Sequence, residues 1–178
     1  MDTMEAIKTR RSVRSFEERP LPNEVFDHIN EAIMHSPSGS NAQESHFVIV
    51  QDQEQIRKIK RFAQGISGNP AAIIVLCSNK KEALVRGGID TVEVLRFVNL
   101  GIVAANIMLV AHSNGIANCP ARSFHKESIK TLLELPQDVE PELLISLGYS
   151  AQTPRPKSIK PSEEVISYDK YGQQQPNT

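Results

Sequence analysis

Leu100-Gly101-Ile102-Val103-Ala104-Ala105-Asn106-Ile107-Met108-Leu109-Val110-Ala111-His112 is the stretch that decides the fold. From Ile102 to Ala111 it is apolar nearly all round, broken only by Asn106. A helix with no polar face is expected to be buried on most sides. The periodicity extends it over 92–114. Such a helix is either the interior helix of a monomer or the core of a dimer, and the residues alone leave both open. The apolar run falls short of the roughly 20 residues that span a bilayer, and no secretory leader is visible.

Outward from this helix, the spacing predicts a short helix over 4–9, with Met4 and Ile7 on one face. Asn23 is read as the N-cap of a helix running to about His35, with Val25, Phe26, Ile29, Ala32 and Ile33 at helical spacing. Strands are expected over 47–50, 71–77, 116–119 and 143–147. Further helices are expected over 54–64 and 126–134, the latter capped by Ser123. Gly87-Gly88 is read as a turn. Helices and strands alternate without a strict βαβ rhythm, which predicts a sheet of mixed strand direction with helices on both faces. The 178 residues, 39% hydrophobic and 23% charged, suit one soluble domain. A net charge of -1 argues against nucleic acid as a partner. Residues 151–161, rich in proline and basic residues, cannot form helix and read as an extended arm able to reach a neighbouring subunit. Residues 173–178 read as a disordered tail. Cys77 and Cys119 form no CxxC pair and lie in apolar segments, as buried thiols of a reducing cytoplasm do. The five histidines do not fall at zinc-ligand spacing around them, so no metal is expected.

The chemistry concentrates in two segments. Arg10-Arg11-Ser12-Val13-Arg14 brings three guanidiniums and a hydroxyl within five positions. Guanidinium forks bind phosphate bidentately and stay charged at any working pH, so the run reads as an anion cradle or as a solvated basic turn. Ser36-Pro37-Ser38-Gly39-Ser40-Asn41-Ala42-Gln43 is a polar loop feeding the strand Phe47-Val48-Ile49-Val50. There is no G-x-G-x-x-G after a strand, no P-loop and no G-x-S-x-G elbow. Without an obvious nucleophile, the chain fits a protein whose cofactor supplies the reactive atom.

These segments resemble the nitroreductase family of flavoproteins. The Arg10–Arg14 run resembles the family's RRSxR opening, and Ser36 to Gln43 with Phe47 to Val50 resembles its loop and following strand. Leu100 to His112, with Gly115, resembles its central helix. Leu147-Gly148-Tyr149, then Pro154 to Lys157 and Pro161 to Val165, resembles its tail. The similarity runs from about Met4 to Gly172, in family order. It implies an α+β fold, an αβα sandwich with a mixed, mostly antiparallel central sheet, in a domain-swapped homodimer with FMN at the interface. Residues 1–172 would form one FMN-binding domain, with 151–172 as its arm.

The resemblance also implies roles. Arg10 and Ser12 would hold the FMN phosphate and ribityl end, non-covalently, with Arg11 contributing through its backbone. Arg14 would face the pyrimidine edge of the flavin, where a cation stabilises developing negative charge; it is the electrostatic candidate, and no catalytic residue is named. Pro37, Ser38, Ser40 and Asn41 would line the ring from the partner subunit. Lys157 and Lys160 would complete the phosphate site. Ala121 and Arg122 would offer backbone amides to the flavin, with the Arg122 side chain near the ring or in solvent. The implied activity is an oxidoreductase that uses NAD(P)H to reduce a nitroaromatic, a quinone or a similar small oxidant by ping-pong hydride transfer. The alternatives are a flavin- or anion-binding protein without turnover, and a flavin-fragmenting or dehalogenating relative. Cofactor preference and oxidant are not fixed by sequence. The chain departs from the family at Glu44-Ser45, where Pro-Trp is common, at Pro120-Ala121-Arg122, at Ile159, and at Asn99, where Asp is frequent.

Overall fold

The strand Ala72–Asn79 is the centre of the molecule. In the computed structural model, which describes residues 1–175, every side chain from Ala72 to Ser78 is fully buried. Residues 176–178, the end of the tail expected to be disordered, lie outside the described residues. Gln173 and Gln174 bond back to the carbonyls or amides of Tyr168, Lys170 and Glu163. We label the strands β1 (Ser45–Val50), β2 (Ala72–Asn79), β3 (Ala117–Ala121) and β4 (Val139–Gly148). Their order is β1-β2-β4-β3, and all three pairings are antiparallel. The parallel component of the expected mixed sheet is one isolated bridge, Ser12 with Asn118.

The helices are α1 (Thr3–Thr9), α2 (Asn23–Met34), α3 (Gln53–Lys60), α4 (Lys80–Asp90), α5 (Arg96–Ser113) and α6 (Lys126–Leu132). Side chains alternate across a strand. Ala72, Ile74 and Leu76 therefore meet Ile29 of α2 and Leu100, Val103 and Ile107 of α5. Ile73, Val75 and Cys77 meet Ile56 and Ile59 of α3 and Ile129 of α6. Two apolar layers on one β-branched strand make the αβα sandwich, and burying each such side chain contributes about 1.5–3 kcal/mol.

Capping differs from expectation at two helices. Pro22, not Asn23, precedes α2; its carbonyl accepts from the Val25 amide at 3.1 Å, and Asn23 is already helical. His125, not Ser123, caps α6, its Nδ1 accepting from the Ser128 amide at 3.3 Å. The expected helix over 54–64 runs over Gln53–Lys60 and is capped by Asp52, whose carboxylate accepts from the Gln55 amide at 2.7 Å.

The central helix begins earlier than expected. Asn79 Oδ1 accepts from the amides of Lys81 and Glu82, both at 3.1 Å, and starts α4. Gly88 breaks it with φ 74° and ψ −170°, a backbone that glycine adopts without strain. One wide turn, Thr91–Leu95, then leads into α5. Helical residues run almost continuously over Lys80–Ser113, long and apolar enough by length and composition to cross a membrane, which corrects the expectation that no such run exists. Here α5 packs on the sheet and α2 instead. Over 102–111 only Ile102 and Ala105 are exposed; together with Phe97 and Val98 of α5 and Val94 of the preceding turn they leave an apolar face open in the single chain.

Residues 13–17 meet residues 149–151 beyond the sheet. The Val13 amide donates to Asn118 O at 3.0 Å, and Phe16 bridges Ser150. The Ala151 amide donates to Ser15 O at 3.0 Å. Residues 153–160 then continue as an exposed arm without regular structure.

Candidate functional site

The join between residues 12–17 and the end of β4 builds a cleft of about 520 Å³, walled by Arg10 to Arg14 on one side and Gln152 to Lys157 on the other. Five cations line it, Arg10, Arg11, Arg14, Arg155 and Lys157, and no carboxylate does. Arg11 turns back on α1, donating to the carbonyls of Lys8 and Arg10 at 2.8 Å each. It thereby satisfies carbonyls that a helix end leaves open. Arg10 makes only a long contact, 3.5 Å, to Asn118 Oδ1. Arg10, Arg14, Arg155 and Lys157 have no ion-pair partner among the described residues. Unpaired guanidiniums facing a cleft are donors held ready for an anion. His112, at the end of α5, contacts Thr9 Oγ1 at 2.8 Å beside this cleft. Burial, then the charges of Arg10 and Arg11, hold its pKa below the ordinary imidazole value.

The loop 36–43 lies against the other surface of α5. Ser40, Asn41 and Gln43 all have positive φ, 53°, 50° and 50°. Left-handed backbone at non-glycine residues costs of order 1–3 kcal/mol each and persists only where the surroundings over-determine it. Two asparagines of α5, two turns apart, do so. Asn106 Nδ2 donates to Ser36 Oγ at 2.8 Å, and Asn99 Oδ1 accepts from the Gly39 amide at 2.9 Å. Gly39 sits so close to the turn leading into α5 that an added Cβ would lie 3.3 Å from Leu95 Cδ1. Behind the loop, Glu44 is fully buried, and its Oε1 accepts from Asn99 Nδ2 at 2.9 Å. The Glu44 carboxyl, one of the departures from the family pattern, thus faces the interior. Pro37 and Ser38 border a second cleft of about 460 Å³ with Ile33, Phe47 and Val103, where His46 is the only ionisable residue. Ser40 and Asn41 stand exposed at the loop tip.

Five expected site residues line neither cleft: Ser40 and Asn41 at the loop tip, and Ala121, Arg122 and Lys160. Ala121 is buried at the end of β3. Arg122 reaches toward Glu142 Oε2 at 3.5 Å, drawn by a carboxylate that is 2% exposed. Lys160 pairs with Glu164 at 3.8 Å on the arm. Glu142 also binds Arg96 and, at 2.5 Å, Lys126. Asn99, Asn106 and Glu44 are the positions that sequence reasoning left without a role. The only available signal was a polar residue at each of two core-facing positions of an apolar helix.

With the geometry in place, comparison with known proteins is decisive. A profile of the nitroreductase family matches residues 7–76 and 64–149. The chain belongs to the nitroreductase family. A Methanothermobacter thermautotrophicus protein, provisionally named NADH dehydrogenase/NAD(P)H nitroreductase, is 32% identical over 166 residues, covering 89% of this chain and 83% of that protein. The Bacillus subtilis FMN reductase [NAD(P)H] is 27% identical over 96% of this chain and 74% of its own. The crystal structure of a nitroreductase family protein from Clostridium difficile superposes with a TM-score of 0.83 at 24% identity, covering 96% of this chain and 99% of that one, and shares the fold. As a member of the nitroreductase family, the chain is an oxidoreductase enzyme.

Proposed function

We propose that this chain is an FMN-dependent oxidoreductase that draws hydride equivalents from NAD(P)H and passes them to a nitroaromatic, a quinone or a similar small oxidant in ping-pong fashion. One observation carries the reading: five cations and no carboxylate wall the cleft between residues 10–14 and 152–157. Its size lies within the range of small-molecule sites, and its donor set suits a phosphate. The FMN reductase among its relatives supports the same choice. When bound, the flavin supplies the atom that takes up and returns the hydride.

The chain's own residues would bind and orient it. Arg10, Ser12 and Lys157 hold the phosphate end, Arg11 contributes its backbone because its side chain is spent on α1, and Arg14 lends positive charge to the ring. Charge-assisted hydrogen bonds of this kind contribute roughly 1.5–3 kcal/mol each, enough together for tight non-covalent binding. The ring end needs a different wall. The uncharged cleft beside Pro37 and Ser38, with Ser40 and Asn41 at the tip, offers one, and a second copy would supply it. The open face formed by Val94 of the preceding turn and Phe97, Val98, Ile102 and Ala105 of α5 supports a homodimer, since contiguous exposed apolar surface marks an interface. Two buried free thiols suit the cytoplasm.

The purified protein should be yellow, release FMN on heating, and oxidise NAD(P)H when menadione or nitrofurazone is added. Arg10→Ala with Ser12→Ala should lose the colour and keep the fold by circular dichroism. A yellow protein that leaves NAD(P)H unoxidised would be a flavin-binding protein without turnover. A colourless protein that takes up no added FMN would end the reading.

A further inference from the structure

Glu44 poses a problem that the flavin reading does not solve. Its carboxyl is fully buried, no basic side chain among the described residues pairs with it, and Oε2 has no hydrogen-bond partner. A buried polar atom left unpaired costs about 1–3 kcal/mol, so such a group persists where something else depends on it.

What depends on it is the orientation of one amide. The Gly39 amide must find an acceptor, and Asn99 Oδ1 provides it at 2.9 Å. That fixes the Asn99 side chain with its NH2 turned the other way. The NH2 then needs a buried acceptor, and Glu44 Oε1 provides it at 2.9 Å. Asn99 is 2% exposed, so water cannot replace either partner freely. In this arrangement position 99 accepts and donates at once, and position 44 accepts. Glu44 is itself anchored, since its carbonyl accepts from the Asn79 amide at 2.8 Å where β2 passes into α4. The chain Asn79, Glu44, Asn99, Gly39 thus runs from the sheet through the interior to the loop whose next residues are left-handed.

We propose that Asn99 and Glu44 are a positioning pair that holds the strained loop 39–43 in the shape it presents to the flavin of a second copy, an inference that rests on the flavin reading above. The pair touches no substrate; it acts through the loop. A polar relay in low dielectric is all-or-none, because breaking either bond leaves two buried groups unpaired.

The test exchanges the roles of the two residues. Asn99→Asp keeps the acceptor for Gly39 but sets a carboxylate against Glu44. Combined with Glu44→Gln, it restores a donor and an acceptor in reversed order, at nearly unchanged volume. The readout is the rate of FMN release after dilution, followed by the recovery of flavin fluorescence, with thermal midpoints measured alongside. Ile129→Val, in the apolar layer on the opposite face of the sheet, is the stability control. Asn99→Asp alone should speed release by about tenfold or more, the effect of one such hydrogen bond, and the double variant should return to within about threefold of wild type. The control should lower the midpoint and leave release unchanged. Release at the wild-type rate in Asn99→Asp, or acceleration by the control in proportion to its lost stability, would overturn the pairing while leaving flavin binding intact. Wild-type protein that takes up no FMN would instead remove the reading on which the pair rests, and the pair's role toward flavin with it.

Discussion

Glu44 and Glu142 are buried to nearly the same depth, 0% and 2% exposed, and are accommodated in opposite ways. Glu142 lies in β4 at the end of the sheet, where α5, α6 and the segment after β3 deliver Arg96, Lys126 and Arg122, with Ser78 at 3.4 Å. Glu44 meets one neutral amide. The first is held by opposite charge and the second by a hydrogen-bond relay. Removing one side of a buried ion cluster strands the other charges, whereas a hydrogen-bond relay tolerates any replacement that preserves its donors and acceptors. The cluster therefore fixes the sheet end at the cost of mutability. The relay fixes a loop and remains exchangeable.

The largest effect should come from breaking the cluster. Glu142→Ala leaves Arg96 and Lys126 facing a cavity and should cost about 3–5 kcal/mol in urea unfolding. Glu44→Gln keeps the acceptor for Asn99 and should change stability by less than about 1 kcal/mol. Equal losses in the two variants would abolish the contrast. Acid should separate them further. At Glu140, beside the cluster, burial raises the carboxyl pKa, but the Lys130 hydrogen bond and the charges of Lys80, Lys130 and Lys126 outweigh it, and the net direction is down. A lowered carboxyl contributes stability above its unfolded value and loses it as pH falls through the folded value. Lys130→Met should accordingly move the acid unfolding midpoint to higher pH. The smallest effect belongs to Arg122→Ala: with the Arg122 side chain 57% exposed, its pair with Glu142 should contribute about 0–1 kcal/mol. Cys77, beneath the cluster, tests the burial of this layer. Desolvation, then Glu142 and Glu140, push its thiol up to about 12, so iodoacetamide should fail to label it in the folded protein and label it in urea.

The two routes also differ in how well sequence reveals them. The strand of β2 was readable because every residue from Ala72 to Cys77 is apolar and of strand length, and α5 because its apolar run is long. The Arg10 to Arg14 run was readable because like charges recur within a short span; its approach to Lys157 was implied only by the family resemblance. Contacts that depend on tertiary approach were not. Nothing local joins Glu44 to Asn99, or Arg122 to Glu142. Helix α4 was missed because Gly87-Gly88 resembles a turn; one residue of that pair does break the helix, but helical backbone resumes directly after it. Asn23 and Ser123 are good capping residues by type. They lost to Pro22 and His125 because a cap is decided by where the first free amides point, and that is settled by the loop entering the helix.

The cationic cleft has one wall from residues 10–14 and the other from residues 152–157, with almost all of the described chain between them. During synthesis the first wall leaves the ribosome long before the second exists. A nascent chain can therefore form β1 and β2 and begin to pack α5 while it remains unable to grip a phosphate. On the proposed reading of this cleft, cofactor capture would be a late event, reserved for chains whose β4 has already closed against the sheet, and a truncated product would be left empty.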